Sequence, residues 1–230
     1  MNIRVIMVVA VIMIFAAGFG VLNYNNIKGL TLEEAYASGK VQITQETAAG
    51  TIPHTVQIQN KGKDPLQVEE GYILTSNSSQ DLVTARNEII PPDTNVTVPA
   101  YCLEPNQRAV EKSKLEVSGP APAMIKSIIS TSNVQNPSEA FNTQLRIWVI
   151  ANGPEFNIYT GEVVAVAEKQ DISYSNIRQN VSNVKIEIMT KFNLTESQVN
   201  KININNSIVN KSQSIGFDSI IESISKSLNL

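Results

Sequence analysis

"NVTVPAYCL", residues 95–103, alternates apolar and polar side chains through Val96, Val98 and Ala100. Alternation of this kind marks a strand with one buried face, because successive side chains point to opposite sides of a sheet. The parity carries on to Cys102, which shares a face with those three residues. Cys102 is the only cysteine in the chain, so no internal disulfide is open to it. Intermolecular pairing, special chemistry and simple burial as a small hydrophobe are the remaining roles.

The same pattern extends on both sides. "KVQITQET" alternates, and "HTVQIQN", residues 54–60, places Val56 and Ile58 on one face. "NKGKDP" is a turn, "LQVEEGYIL" resumes the alternation, and "DLVTA" and "NEII" are short strands. "SKLEVS" adds a last one. Several short strands at regular spacing, broken by Pro, Gly and Asn turns, predict an antiparallel β-sandwich of immunoglobulin-like size over residues 25–119. Ahead of it "TLEEAYASGK" reads as a helix, with Thr31 and Glu34 as a capping box and Gly39 as its end.

Beyond Gly119-Pro120 the period becomes helical, and residues 120–230 read as a helical module packed on the sandwich. "NPSEAFNTQLRIWVIANG" has Asn136 as cap, Pro137 in the first turn and Gly153 at the end. Phe141, Leu145, Trp148 and Val149 form its core stripe. "GEVVAVAEKQ" fits helix or strand. Residues 174–191 fit a helix through Ile177, Val181, Val184 and Ile188, and "LTESQVNKI" begins another with Thr195 as cap. Phe217, Ile220, Ile221, Ile224 and Leu228 lie on one face of a last segment. The fold class expected is therefore α+β: an N-terminal transmembrane or signal helix, a sandwich, then helices.

That N-terminal helix is read from residues 5–22, "VIMVVAVIMIFAAGFGVL", which carry no charge. About 18–20 apolar residues can span a bilayer. A cleaved signal peptide is the other reading, with Ala16, Ala17, Gly18 and Gly20 as its small-residue zone. The anchor is favoured, and residues 1–24 form the leader on either reading. Both place the remainder outside the cytoplasm, secreted or membrane-anchored, with the membrane contacted through residues 5–22. Six glycosylation sequons, at Asn77, Asn95, Asn180, Asn193, Asn205 and Asn210, fit a glycoprotein of the cell surface.

The charge balance excludes other classes. A net charge of −3, with 17% charged residues, supplies no basic stripe for nucleic acid. A single histidine, His54, excludes a histidine-rich zinc site, and no ligand-spaced cluster suggests a metal or other cofactor. A Cys102–His54 dyad needs only proximity in space, but His54 follows a proline at a strand start, where an exposed loop position is expected. The chain is therefore read as a non-enzyme, with a cysteine-dependent hydrolase as the alternative.

"AYCLEP" and, some forty residues later, "TQLRIW" resemble the paired signature of thioester domains in prokaryotic surface adhesins. More broadly, "EAYASGKVQI", "QIQNKGKDPLQV" and "VTVPAYCLEP" resemble secreted prokaryotic proteins with a small sandwich. The resemblance covers residues 31–152, with Thr143 standing where an apolar residue is usual. It implies an internal thioester in which Cys102 is the thiol and Gln144 the acyl carrier, shielded by Tyr101 and Trp148. Packing alone is the other role for the pair. The function expected is an exported binding or adhesion protein acting on an unknown surface or envelope protein or glycan. A non-catalytic structural or accessory subunit of a cell-envelope complex is the alternative.

Overall fold

A computed structural model describes residues 29–202. The chain enters through β1 (Leu30–Thr31) and α1 (Leu32–Ala37). Thr31 caps the helix: its hydroxyl accepts the Glu34 N–H, and the Glu34 carboxylate accepts the Thr31 N–H. Eight strands follow: β2 (Val41–Gln45), β3 (His54–Asn60), β4 (Leu66–Val68), β5 (Tyr72–Thr75), β6 (Leu82–Thr84), β7 (Glu88–Ile90), β8 (Thr94–Cys102) and β9 (Lys114–Pro120).

These strands do not form a sandwich. Six of them close into one barrel in the order β2-β3-β8-β6-β5-β9, with β9 returning to β2. The other three, β1, β4 and β7, make a small separate sheet in which β1 runs parallel to β4. Closure has a local cause. β8 is nine residues long and serves two neighbours: residues 94–100 pair with β3, and residues 100–102 pair with β6. β9 divides itself between β2 and β5 in the same way, with a register shift at Ile73/Leu74. A bulge bends a strand and sharpens its twist, which lets a short sheet curl onto itself. The immunoglobulin-like expectation fails here because alternation reports which face is buried and says nothing of which strand lies alongside.

The continuous-looking "LQVEEGYIL" is also two strands in two sheets, broken at Glu69, Glu70 and Gly71. The helices are α2 (Ala123–Ile129), α3 (Pro137–Asn152), α4 (Gly161–Gln170), α5 (Tyr174–Lys191) and α6 (Glu196–Lys201). α3 begins as its sequence indicates: the Asn136 side chain accepts the Ser138 and Glu139 N–H groups. Barrel and helices share one hydrophobic core in which Ile58, Leu74, Leu82, Val98, Leu145 and Trp148 are fully buried. Each such side chain contributes roughly 1.5–3 kcal/mol relative to exposure. Among the described residues no helix is long and apolar enough to cross a membrane. The predicted leader, residues 1–24, and the apolar segment at 217–228 lie outside the described residues.

Candidate functional site

β8 ends in a segment buried on both faces, from Val98 through Cys102. Ala100 lies opposite His54 on β3, and Cys102 lies opposite Leu82 on β6. Since Ala100 and Cys102 have the same parity, His54 and Cys102 belong to the same face. His54 is fully buried, so the exposed loop position expected for it is wrong. Its place at the strand's first residue turns it into the barrel, where the residue after a proline had suggested solvent.

Gln80, in the loop before β6, bridges the two. One end of its carboxamide touches the Cys102 thiol, and the other lies 3.0 Å from His54 Nε2. The same ring nitrogen is 3.1 Å from Glu162 Oε1. Glu162 comes from the first turn of α4 and is fully buried. Its carboxylate also accepts the Gly50 N–H at 2.6 Å and the Ala109 N–H at 3.0 Å. Burial pushes the Glu162 carboxyl up, but the hydrogen bonds from His54 and the two backbone N–H groups outweigh it, leaving the acid below its ordinary value.

An ionised Glu162 calls for a proton on His54 Nε2. Nδ1 then accepts from the Thr47 hydroxyl at 3.0 Å, while Thr47 Oγ1 accepts the Thr55 N–H. Oxygen and nitrogen of a carboxamide exchange places on a half-turn. With the Gln80 oxygen toward the ring and its nitrogen toward sulfur, the carboxamide donates to Sγ and shares the Nε2–H with Glu162. The thiol itself donates to the Glu104 carbonyl, 3.3 Å away, and accepts from Trp148 Nε1 at 3.3 Å. Cys102 is fully buried. Burial first, then the Glu162 carboxylate, drive its pKa well above that of a free thiol, against the smaller opposing effect of the Trp148 bond. The sulfur is held as a thiol, and a thiolate is the reactive form.

Gln144 does not address the sulfur. Its oxygen accepts the Cys102 N–H at 2.9 Å and its nitrogen donates to the Cys102 carbonyl at 2.7 Å. About two turns further along α3, Asn152 donates to the Leu103 carbonyl at 2.8 Å. α3 thus closes the open edge of β8 with side-chain carboxamides, as a neighbouring strand would. Tyr101 points to the face of β8 opposite the thiol, toward the hydroxyls of Ser132 and Thr143, and its burial raises its pKa. Trp148 does reach the sulfur, and packs edge-on to Phe156 at 5.9 Å between ring centroids. Among the sequons, Asn77, Asn95 and Asn193 are exposed and Asn180 is half-buried, while Asn205 and Asn210 lie outside the described residues. No group of three or more His, Cys, Asp or Glu side chains suited to a metal ion occurs among the described residues.

A family model described as ARPP-1, the ARG and Rhodanese-Phosphatase-superfamily-associated Protein domain, matches residues 4–206. The chain belongs to this family. Neither a curated protein nor a solved structure matches it. Membership in ARPP-1 replaces the resemblance to thioester adhesins, which rested on two short motifs. The reading as a secreted surface adhesin and glycoprotein that captures targets through a thioester falls with it. The structure supplies the physical reason for the second motif: the Gln144 carboxamide is engaged twice by the Cys102 backbone. The ARPP-1 description points to association with rhodanese-phosphatase superfamily proteins, hence to protein partners, and nothing in the chain's charge or its described helices points to nucleic acid or a membrane span.

Sequence reasoning missed Gln80 and Glu162. Gln80 stands in "TSNSSQD", where a polar residue reads as loop. Glu162 opens a helix, where an acid is ordinarily a solvent-facing partner of the helix dipole. A usable signal existed for His54: its parity matches Val56 and Ile58.

Proposed function

We propose that this ARPP-1 chain is an accessory domain that binds a rhodanese-phosphatase superfamily protein and catalyses nothing on its own. Of the functions expected from sequence, the accessory one fits the family description. The observation that carries the reading is the setting of Cys102: fully buried, with its sulfur against Gln80, Glu104 and Trp148, and with burial raising its pKa. A nucleophile for a substrate needs access and a thiolate. The Cys102–Gln80–His54–Glu162 line ties the barrel end to α4 and keeps the chain in one shape for its partner.

Coexpression of the full chain with a rhodanese-phosphatase superfamily protein of the same genome tests this. A complex that co-elutes on size exclusion, and that forms equally with Cys102→Ala, is the expected result. Failure to form a complex, together with Cys102-dependent turnover of an ester or peptide by the chain alone, would overturn it.

A second reading has one specific observation in its favour. A carboxylate, an imidazole and a thiol, the residue types of a thiol hydrolase, lie close together, with Gln80 standing between the thiol and the ring. It requires that the cover over Cys102 lift. Rapid alkylation of Cys102 by iodoacetamide in the native protein would support it, whereas protection until unfolding supports the accessory role.

A further inference from the structure

On the face of β8 away from the thiol, three hydroxyls meet. Tyr101 is fully buried near the end of β8, and Thr143 is 1% exposed on α3. Ser132 comes from the turn after α2, and its Oγ is closed to solvent like the other two oxygens. Burial raises the Tyr101 pKa, and the Ser132 and Thr143 hydroxyls stand close enough to oppose it. Yet none of the three oxygens has a hydrogen-bond partner, in one another or elsewhere among the described residues.

Two of the three pass over a local acceptor. A serine or threonine on a helix readily bonds back to a carbonyl three or four residues earlier. Thr190 on α5 does so to Ile186, and Ser130 and Thr131, just after α2, do so to Ser127. Ser132 follows them directly and Thr143 lies within α3, but both leave that bond unmade and stand by the Tyr101 hydroxyl instead. A buried hydroxyl without a partner costs about 1–3 kcal/mol, and native structures keep few such groups. Three in one place call for a shared partner.

Their chemistry narrows what that partner is. Each hydroxyl donates one hydrogen bond and accepts others, so the occupant must do both. Glu139, one turn before Thr143 on α3, sets a negative charge near the Tyr101 oxygen, which disfavours an anion. A calcium or magnesium ion takes about six or more oxygen ligands, and three neutral hydroxyls fall short of that. A water molecule has two protons and two lone pairs. Buried waters make about three hydrogen bonds, to polar groups otherwise left unsatisfied.

We propose that Tyr101, Ser132 and Thr143 bind one structural water, which joins the end of β8 to α3 and to the turn after α2. The last residues of β8 are then held on two sides. Gln144 holds the Cys102 backbone directly, and the water holds the Tyr101 hydroxyl. The site stands independently of the partner-binding reading above.

A high-resolution crystal structure of the full chain tests this, together with oxygen-17 relaxation dispersion of water, which counts long-lived internal waters. One density peak is expected at about 2.8 Å from each of the three oxygens. Tyr101→Phe combined with Thr143→Val preserves the shapes and removes two of the three ligands. That variant should lose the peak, and its dispersion should correspond to one long-lived water fewer. No peak, direct contact between the hydroxyls, density for a larger molecule, or a peak unchanged in the double variant each overturns the proposal. Where the double variant fails to fold, Thr143→Val alone replaces it. Its water is expected to exchange faster, lowering the dispersion, and an unchanged dispersion overturns the proposal.

Discussion

At the scale of single residues, Gln144 shows how a side chain that reads as reactive is committed to backbone. Cys102 ends a strand whose next neighbour on one side is a helix, so its N–H and C=O would be buried without partners. Gln144 meets both, at 2.9 and 2.7 Å. A buried polar group left unpaired costs about 1–3 kcal/mol. Gln144→Leu leaves two, and is expected to lower stability by about 2–5 kcal/mol, read from the urea midpoint at unchanged slope. Gln144→Glu keeps an acceptor for the N–H but cannot donate to the carbonyl and buries a charge, so it should cost at least as much. Cys102→Ala leaves the Trp148 Nε1–H and one end of the Gln80 carboxamide without their sulfur partner, and is expected to cost about 1–3 kcal/mol as well. A midpoint for Gln144→Leu equal to wild type would show that α3 does not complete the edge of β8.

At the scale of elements, α4 docks on the barrel end through Glu162, and two glycines let it approach. Gly161 has φ +59°, and a Cβ there would overlap the backbone of Pro105 and Asn106. Gly50 has φ +83°, and a Cβ would strike the Ala165 carbonyl. The close approach brings Glu162 within reach of Gly50, Ala109 and His54. Glu162→Gln offers an NH2 to one of two backbone N–H donors, and is expected to cost about 2–4 kcal/mol by disrupting a buried, hydrogen-bonded charge. It should also raise the rate at which iodoacetamide labels Cys102 in native buffer. Unchanged labelling with lowered stability would place the cover elsewhere. Much of this element level was legible in the sequence. The caps Thr31, Asn136 and Thr195 and the stripe through Ile177, Val181, Val184 and Ile188 follow from local chemistry that the fold respects. "GEVVAVAEKQ" stayed ambiguous because its apolar residues satisfy both periods, and only docking on the barrel end decides for a helix. The partner of each strand was not legible, since closure depends on how β8 and β9 divide themselves between neighbours. The site was half legible. Cys102, Gln144 and Trp148 do converge, but Gln80 and Glu162 enter from elements whose local sequence gives no reason to turn them inward.

For the whole molecule, the ionisable groups around this end of the barrel set how stability follows pH. Asp81 is half-buried; its carboxylate accepts the Ser76 N–H, and its own N–H donates to Glu104 Oε2. Burial, and then the nearby Glu104 carboxylate, push its pKa from 3.8 to about 6. A folded-state pKa above the unfolded one means that the folded chain binds the proton more tightly. The stability tied to that proton is complete below pH 3.8 and is lost as pH rises through about 6. Glu162 has the opposite sign. Its pKa is lowered from 4.5, so its contribution is present above that value and disappears as pH falls through the folded pKa. Asp81→Asn keeps a carbonyl for Ser76 and removes the charge beside Glu104. Its melting temperature is expected to match wild type near pH 4. By pH 7.5 it should exceed wild type by about 2–4 °C, the shift that ~1 kcal/mol gives a chain of this size. The gap should open between pH 4 and 6, and it should persist in 0.5 M salt, because the larger cause is burial, which ions do not screen. A gap of the same size at both ends of the range would mean that the substitution acts through packing, and that the Asp81 carboxyl keeps its ordinary pKa in the fold.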